Sequence, residues 1–460
     1  YSTDPYHGEV RVKEFKEMVL ALHENNIRVV MDVVYNHTGA SADSDFSKIV
    51  PNYYYRMNEN GSFSNGSGTG NETASVRVMM QKFIVDSVVY WATEYKVDGF
   101  RFDLMALHDI DTMNKVREAL DEIDPSIIVY GEGWTGGASP LPDDQKALKK
   151  NISQIDGTAA FSDDIRDAIK GHVFSDTDKG FVNGGLGLEE SIKFGIIAST
   201  MNNKVDYSQV KYSKTPYARD PYSVVSYVEA HDNLTLWDKL KLTNPDATEE
   251  ELIAMHRMAN AIVLTSQGVA FLHAGSDFLR TKDGNHNSYN APDAINQLVW
   301  ERKETYYDNF EYFQGLIELR KAHPAFRMMS ADLIRQNLDF LEMPQANMVG
   351  YTLSDNANGD KWDTIAVLMN ANDEAIEVTL EKSGWHVVVD GEDAGVETLE
   401  KISGKTITIE PHTLMVLVDS GSMGGSNLWI YMIVGLALGI GVAAFYMKKK
   451  GISPFAKKAN

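Results

Sequence analysis

Three carboxylates each sit at or just beyond a short apolar run: Asp103 after Val97-Asp98-Gly99-Phe100-Arg101-Phe102, Glu132 after Ile127-Ile128-Val129-Tyr130-Gly131, and Asp232 past Ser223 to Glu229. Two carboxyls flanking one carbon can cleave an acetal. At ~5–5.5 Å apart, one attacks while the other protonates the leaving oxygen, and configuration is retained. A single Asp at a strand end serves equally as a cap or an ion-pair partner. Three converging on one mouth point to chemistry.

The elements that would position them read as alternating strands and helices. Glu14 to Asn25 places Phe15, Met18, Val19 and Leu22 at helical spacing, and Ile27 to Val34 reads as a buried strand. Met80, Phe83, Ile84, Val88 and Trp91 mark a second helix. Ile110, Met113, Val116, Leu120 and Ile123 mark a third, stopped at Asp124-Pro125. Further strands are expected at Ala159-Ala160-Phe161, Ser223 to Glu229 and Gly268 to His273, with a helix from Glu250 to Thr265 before the last. Repeated β-then-α units imply a parallel sheet, doubly wound or closed. Polar residues gather at the strand ends (Asp32, Asp103, Glu132, Glu229 with Asp232, and His273), which a barrel mouth explains better than a doubly wound sheet. About six strands can be counted. The expectation is an α/β (β/α)8 barrel lacking its first strands, over residues 1–330. The Gly/Ser/Asn-rich segment Asn58 to Ser75 reads as a long loop, of a length that is functional or disordered. Short β-rich runs between turn residues then predict an all-β sandwich over 331–418.

A flexible stem (419–427) is expected to lead to a transmembrane helix over 428–447. That run carries no charge, has Trp429 and Tyr431 at one end and Tyr446 at the other, and is followed by Lys448-Lys449-Lys450 in a basic tail, 448–460. At ~1.5 Å per residue it spans ~30 Å, a bilayer's hydrocarbon core. Lysines stay cytoplasmic, so the body is expected outside, tethered by its C-terminus. A polar start without Met suggests the C-terminal part of a longer, exported chain. The 460 residues carry a formal charge of −22, which disfavours nucleic acid and anionic lipid and suits a neutral partner. There are no cysteines, hence no disulfides, thiolate metal site or thiol nucleophile. For an exposed protein this fits a bacterial surface.

Four segments in order, Asp32-Val33-Val34-Tyr35-Asn36-His37, Gly99-Phe100-Arg101-Phe102-Asp103, Gly131-Glu132-Gly133-Trp134 and Glu229-Ala230-His231-Asp232-Asn233, resemble the signature regions of the alpha-amylase family of glycoside hydrolases. The chain looks most like the type I pullulanases through Tyr1 to Pro5, Asn65 to Glu72, Phe161 to Ala168 and Asn287-Ser288-Tyr289-Asn290. The resemblance spans roughly residues 1 to 418. It implies cleavage of α-1,6 branch linkages in α-glucans such as pullulan, amylopectin and limit dextrin. Asp103 would be the nucleophile, Glu132 the acid/base and Asp232 the residue that orients sugar hydroxyls. For Glu132 to act as an acid its pKa must be raised, which burial between Tyr130 and Trp134 would do. Arg101, on the same strand face as Asp103, would keep the nucleophile ionised. His37, His231, Trp134, Asn233 and Tyr289 would contact substrate, and Trp237 either substrate or core.

No cofactor is required for this chemistry. Asn36 matches a position that is often a calcium ligand in the family, so Ca2+ is a candidate structural ion. A Tyr-Asn-Trp-Gly-Tyr-Asp-Pro segment of the pullulanase pattern is not found before Tyr1. Two rival readings remain open: an α-1,4 or dual-specificity amylase, and a non-catalytic membrane-anchored glycan-binding or transporter-partner relative. All three carboxylates being present argues against the second.

Overall fold

The computed structural model describes residues 2–422. The expected membrane helix 428–447, the tail 448–460 and most of the stem 419–427 lie outside the described residues. Among the described residues no helix is long and apolar enough to cross a membrane.

Six short strands form one parallel sheet whose spatial order is the sequence order: β1 (Val30–Val33), β2 (Gly99–Phe102), β3 (Ile128–Gly131), β4 (Thr158–Phe161), β5 (Val224–Ser226) and β6 (Val269–Ala270). Parallel neighbours need crossover connections, and helices supply most of them. All four residues of β2 and of β4 are buried, as expected of strands covered on both faces. Val30 of β1, Val129 of β3, Val225 of β5 and Val269 of β6 line a single cavity of about 620 Å³. The sheet therefore curls until its first and last strands face one space. Among the described residues no pairing joins β6 to β1.

The expected helices form, with adjustments. Gly8–Glu24 starts six residues before Glu14 and buries only Val19. Val78–Glu94 buries Met80, Ile84, Val88 and Ala92, an i, i+4 line. Phe83 lies off that line and is 44% exposed, meeting Tyr35 and Phe46 edge-on. Ile110–Asp121 buries Met113, Val116 and Leu120, and the Asp109 carboxylate caps it by accepting from the Thr112 N–H at 3.0 Å. Ile123 falls beyond its end.

The remaining strands are β7 (Leu338–Phe340), β8 (Met348–Leu353), β9 (Ile365–Asn370), β10 (Ile376–Thr379), β11 (Trp385–Val389), β12 (Glu400–Ile402), β13 (Thr406–Ile409) and β14 (Thr413–Asp419). They form a six-stranded antiparallel sheet, β12-β11-β14-β9-β8-β7, and a two-stranded sheet, β10-β13. Alternation along β9 divides the packing: Ala366 and Leu368 meet Val378 and Ile407 of the small sheet, while Val367 and Met369 join the core shared with the α/β part. Tyr351 ties the two parts together by donating to the Thr265 carbonyl at 2.9 Å.

Candidate active site

The register of β1, β2 and β3 brings the central residues together. Asp32 pairs directly with Arg101, and Phe102 with Gly131, so Asp103 and Glu132 leave adjacent strands side by side. Their backbones continue the ladder: the Asp103 N–H donates to the Val33 carbonyl at 3.1 Å and the Glu132 N–H to Phe102 at 3.1 Å. Gly131 permits this approach, because a Cβ there would stand 2.5 Å from the Phe102 carbonyl oxygen. Alternation sends Phe100 and Phe102 into the core and Arg101 with Asp103 toward the cleft.

One guanidinium serves three carboxylates. Nη1 of Arg101 lies 2.9 Å from Asp32 Oδ1 and 3.1 Å from Asp103 Oδ1, and Nη2 lies 2.7 Å from Glu132 Oε1. Burial opposes the charge on Arg101, but Glu132, Asp32 and Asp103 outweigh it and raise its pKa, so it stays ionised. Both oxygens of Asp103 are engaged, Oδ2 by the Asn36 amide at 2.8 Å. The second oxygen of Glu132 accepts from the Leu104 N–H at 2.8 Å. Leu104 adopts φ 37, a left-handed turn costly for leucine, directly after Asp103. That turn aims its N–H at Glu132.

The two carboxyls are not equivalent. Asp103 is 24% exposed and Glu132 only 9%. Burial pushes the Glu132 carboxyl up, Arg101 and the Leu104 N–H pull it down, and Asp103 and Asp232 push it up again. The outcome is a pKa raised from 4.5 to about 7. A buried carboxyl that keeps its proton near neutrality can serve as a proton donor beside a neighbour held by a cation and an amide.

Both open into a cleft of about 1090 Å³. His37, Trp134, His231, Asp232, Asn233 and Tyr289 line it with them, so every residue expected to act on substrate faces one space. Asp232 arrives on the loop after β5 with a 62% exposed side chain, and Tyr289 stands 81% exposed at the rim. Asn36 faces inward instead, donating to both Oδ2 and the carbonyl of Asp103, with its Oδ1 2.6 Å from His37 Nδ1. Its amide is committed to Asp103 and its oxygen to His37, which leaves Asn36 itself a poor ligand for a calcium ion, and among the described residues no three His, Cys, Asp or Glu gather as a metal site. Trp237 belongs to the core, against His256 and Tyr306.

Other residues of this site carried no role in the sequence reading. Asp32 was visible as a polar strand end and as the first residue of a signature segment, with no role attached. Arg166 lies between the rings of Trp134 and Tyr227, 5.7 Å from each centroid, and donates to the Tyr227 hydroxyl at 2.8 Å. Lys170, one helical turn further on, also lines the cleft, and burial lowers its pKa to about 8. Their basic side chains in Ile165-Arg166-Asp167-Ala168-Ile169-Lys170 were the available signal. The loop from Asn58 to Ser75 is built around buried polar groups, with Asn71 exchanging hydrogen bonds with the Thr38 backbone at 3.0 and 2.8 Å beside His37.

Residues 334–393 match a family model described as the pullulanase all-beta domain. The pullulanase of Bacillus subtilis is 41% identical over 377 residues, covering 82% of this chain and 51% of that protein. The solved pullulanase of Bacillus acidopullulyticus is 44% identical with a TM-score of 0.84, over 91% of this chain and 50% of that one. The solved type I pullulanase of Bacillus subtilis, complexed with maltose, is 38% identical with a TM-score of 0.85, over 91% and 57%. The chain thus spans about half the length of these relatives. In sequence and in fold alike, the chain is a type I pullulanase-like protein.

Proposed function

We propose that this chain carries the catalytic centre of a retaining glycoside hydrolase that cleaves α-1,6 branch linkages in pullulan- and starch-type α-glucans. The observation that carries the reading is the guanidinium of Arg101 held between an exposed-edge Asp103 and a buried Glu132 whose pKa is raised to about 7. Adjacent strands ~4.8 Å apart favour the short carboxyl separation of a retaining enzyme.

Asp103 attacks the anomeric carbon while Glu132 gives its proton to the departing glycosidic oxygen, leaving a glycosyl ester on Asp103. Glu132, now ionised, takes a proton from water, which attacks the same carbon and frees Asp103 with net retention. Asp232 orients the sugar hydroxyls as positive charge develops on the ring. His37, His231 and Asn233 hydrogen-bond the sugar being cleaved, while Trp134 and Tyr289 offer ring faces. A neutral polymer suits a chain of charge −22, for which nucleic acid is an unsuitable partner. The six parallel strands are read as part of a (β/α)8 barrel and β7–β14 as a sandwich packed on it. The uncharged run Leu428 to Met447 before three lysines supports a C-terminal single-pass anchor with the body outside a bacterial cell. Membrane fractionation of the chain with and without residues 428–460 tests the anchor.

Incubation with pullulan, beside an Asp103→Asn control, tests the activity. Maltotriose from the unsubstituted chain alone establishes it. Cleavage of amylose and not pullulan moves the specificity to α-1,4 bonds, and binding without cleavage would make the chain a glycan scaffold.

A further inference from the structure

The carboxylates of the site are not held equally. Asp103 and Glu132 each have both oxygens engaged. Among the described residues the Asp232 carboxylate has one ion-pair neighbour, His231 Nε2 at 3.6 Å, and it is 62% exposed. Its place must therefore come from its backbone. The loop between β5 and the helix Leu236–Thr243 is pinned at its far end: Glu229 accepts the Leu236 N–H at 2.8 Å, and Thr235 caps the helix by accepting from the Asp238 N–H at 3.1 Å. Asn233 takes φ 62, a conformation asparagine tolerates, and turns the chain.

The near end is held from another segment. Nζ of Lys282 donates to the His231 carbonyl at 2.9 Å, the peptide group that joins His231 to Asp232. Lys282 is itself located: its N–H donates to Asp238 Oδ2 at 2.7 Å, and the neighbouring Thr281 hydroxyl donates to Asp238 Oδ1 at 2.5 Å. Lys282 thus bridges the His231–Asp232 peptide group and Asp238. The lysine is 2% exposed, and among the described residues no carboxylate lies in ion-pair contact with it. Burial lowers its pKa, and of the charges that favour its ammonium, Asp232 is the strongest. A buried ammonium without a paired anion is costly, so a hydrogen bond to a carbonyl alone is a poor reason to place one there. An apolar side chain of similar length would pack the same space at lower cost.

We propose that Lys282 is a positioning residue for Asp232, fixing the His231–Asp232 peptide and directing the carboxylate into the cleft during catalysis. The proposal rests on the hydrolase reading above. Asp232 acts on the reacting sugar, so its misplacement by an ångström costs turnover more than binding.

Kinetics on pullulan with the unsubstituted chain, Lys282→Met, and both again in an Asp232→Ala background test it. Lys282→Met is expected to melt as the unsubstituted chain does and to lose about a hundredfold in kcat, with KM changed less than about threefold. In the Asp232→Ala background the same substitution should cost less than about threefold, because the group it positions is gone. Lys282→Gln, which keeps an N–H donor, carries the same comparison if the methionine variant does not fold. A folded Lys282→Met with unchanged kcat overturns the proposal and leaves the hydrolase reading intact. So does an equal loss in both backgrounds, which would make Lys282 a support of the loop at large. An unsubstituted chain without activity overturns the hydrolase reading, and the proposal with it.

Discussion

Arg101 Nη2 lies 2.7 Å from Glu132 Oε1, yet the Glu132 carboxyl is pushed up to about 7 rather than down. A private ion pair would lower it. Burial pushes it up, and the one cation, facing Asp32 and Asp103 as well as Glu132, lowers it too little to offset burial together with the push of Asp103 and Asp232. The arrangement sorts two neighbouring carboxyls into unlike roles.

The pH dependence of glucan cleavage follows. In the proposed mechanism Glu132 acts first as an acid, so kcat/KM is expected to fall as pH rises through about 7, roughly tenfold per unit well above it. Arg101→Met removes the stabilising cation, lowers the maximum and moves this limb to higher pH. A pH–rate profile of both proteins checks it, and a limb that stays in place would sever Arg101 from Glu132.

Stability should carry the same signature. The folded pKa of Glu132 lies above the usual 4.5, so the folded state holds the proton more tightly between 4.5 and about 7. That contribution is fully present below 4.5 and is lost as pH rises through about 7, to the extent of about 3 kcal/mol. Glu132→Gln cannot ionise and escapes the loss, although its amide nitrogen cannot accept the hydrogen bond from the Leu104 N–H or from Arg101. Its stability relative to the unsubstituted chain should improve between pH 4.5 and 8, measured by denaturant unfolding at each pH. Parallel curves would mean that Glu132 is solvated.

Roles divide by leaving group. Glu132→Gln should slow pullulan cleavage by about 10²–10⁴. It should lose far less in the first turnover of a glycosyl fluoride, whose leaving group needs no proton to form the ester. Asp103→Asn should lose both. First-turnover rates on the two substrates decide it, and equal losses for Glu132→Gln would deny it the acid role.

Gly131→Ala tests the strand register. Its Cβ would stand 2.5 Å from the Phe102 carbonyl oxygen and 2.8 Å from the Met105 Cβ, forcing β2 and β3 apart beneath both carboxyls. Destabilisation of about 1–3 kcal/mol is expected in denaturant unfolding, together with lost activity. An unchanged midpoint would place Gly131 outside a tight contact.

The strand ends and the carboxylates were legible because a parallel strand buried on both faces writes a continuous apolar run, and the first polar residue beyond it marks the mouth. Asp103 and Glu132 stand out that way, while Asp232 follows Glu229 on the loop beyond β5. Asp32 was named among the polar strand ends as well, but it lies inside β1, at 53% exposure, and only the register with Arg101 shows its purpose. Trp237 stood beside the motif and went to the core, since its helix turns it toward His256. Asn36 drew a calcium reading from the family position it matches, whereas its partner, Asp103, lies 67 residues away. Lys282 was illegible for the same reason: its hydrogen bond to His231 spans 51 residues, and nothing local announces it.

The most direct test of the pairing is to trap its product. The Glu132→Gln chain, incubated with α-maltotriosyl fluoride and digested for mass spectrometry, should carry one maltotriosyl unit on the peptide that contains Asp103, because ester formation proceeds and its hydrolysis lacks a base. No adduct on a chain that consumes the fluoride, or an adduct on another carboxylate, would contradict the assignment of Asp103 as nucleophile and Glu132 as its acid/base.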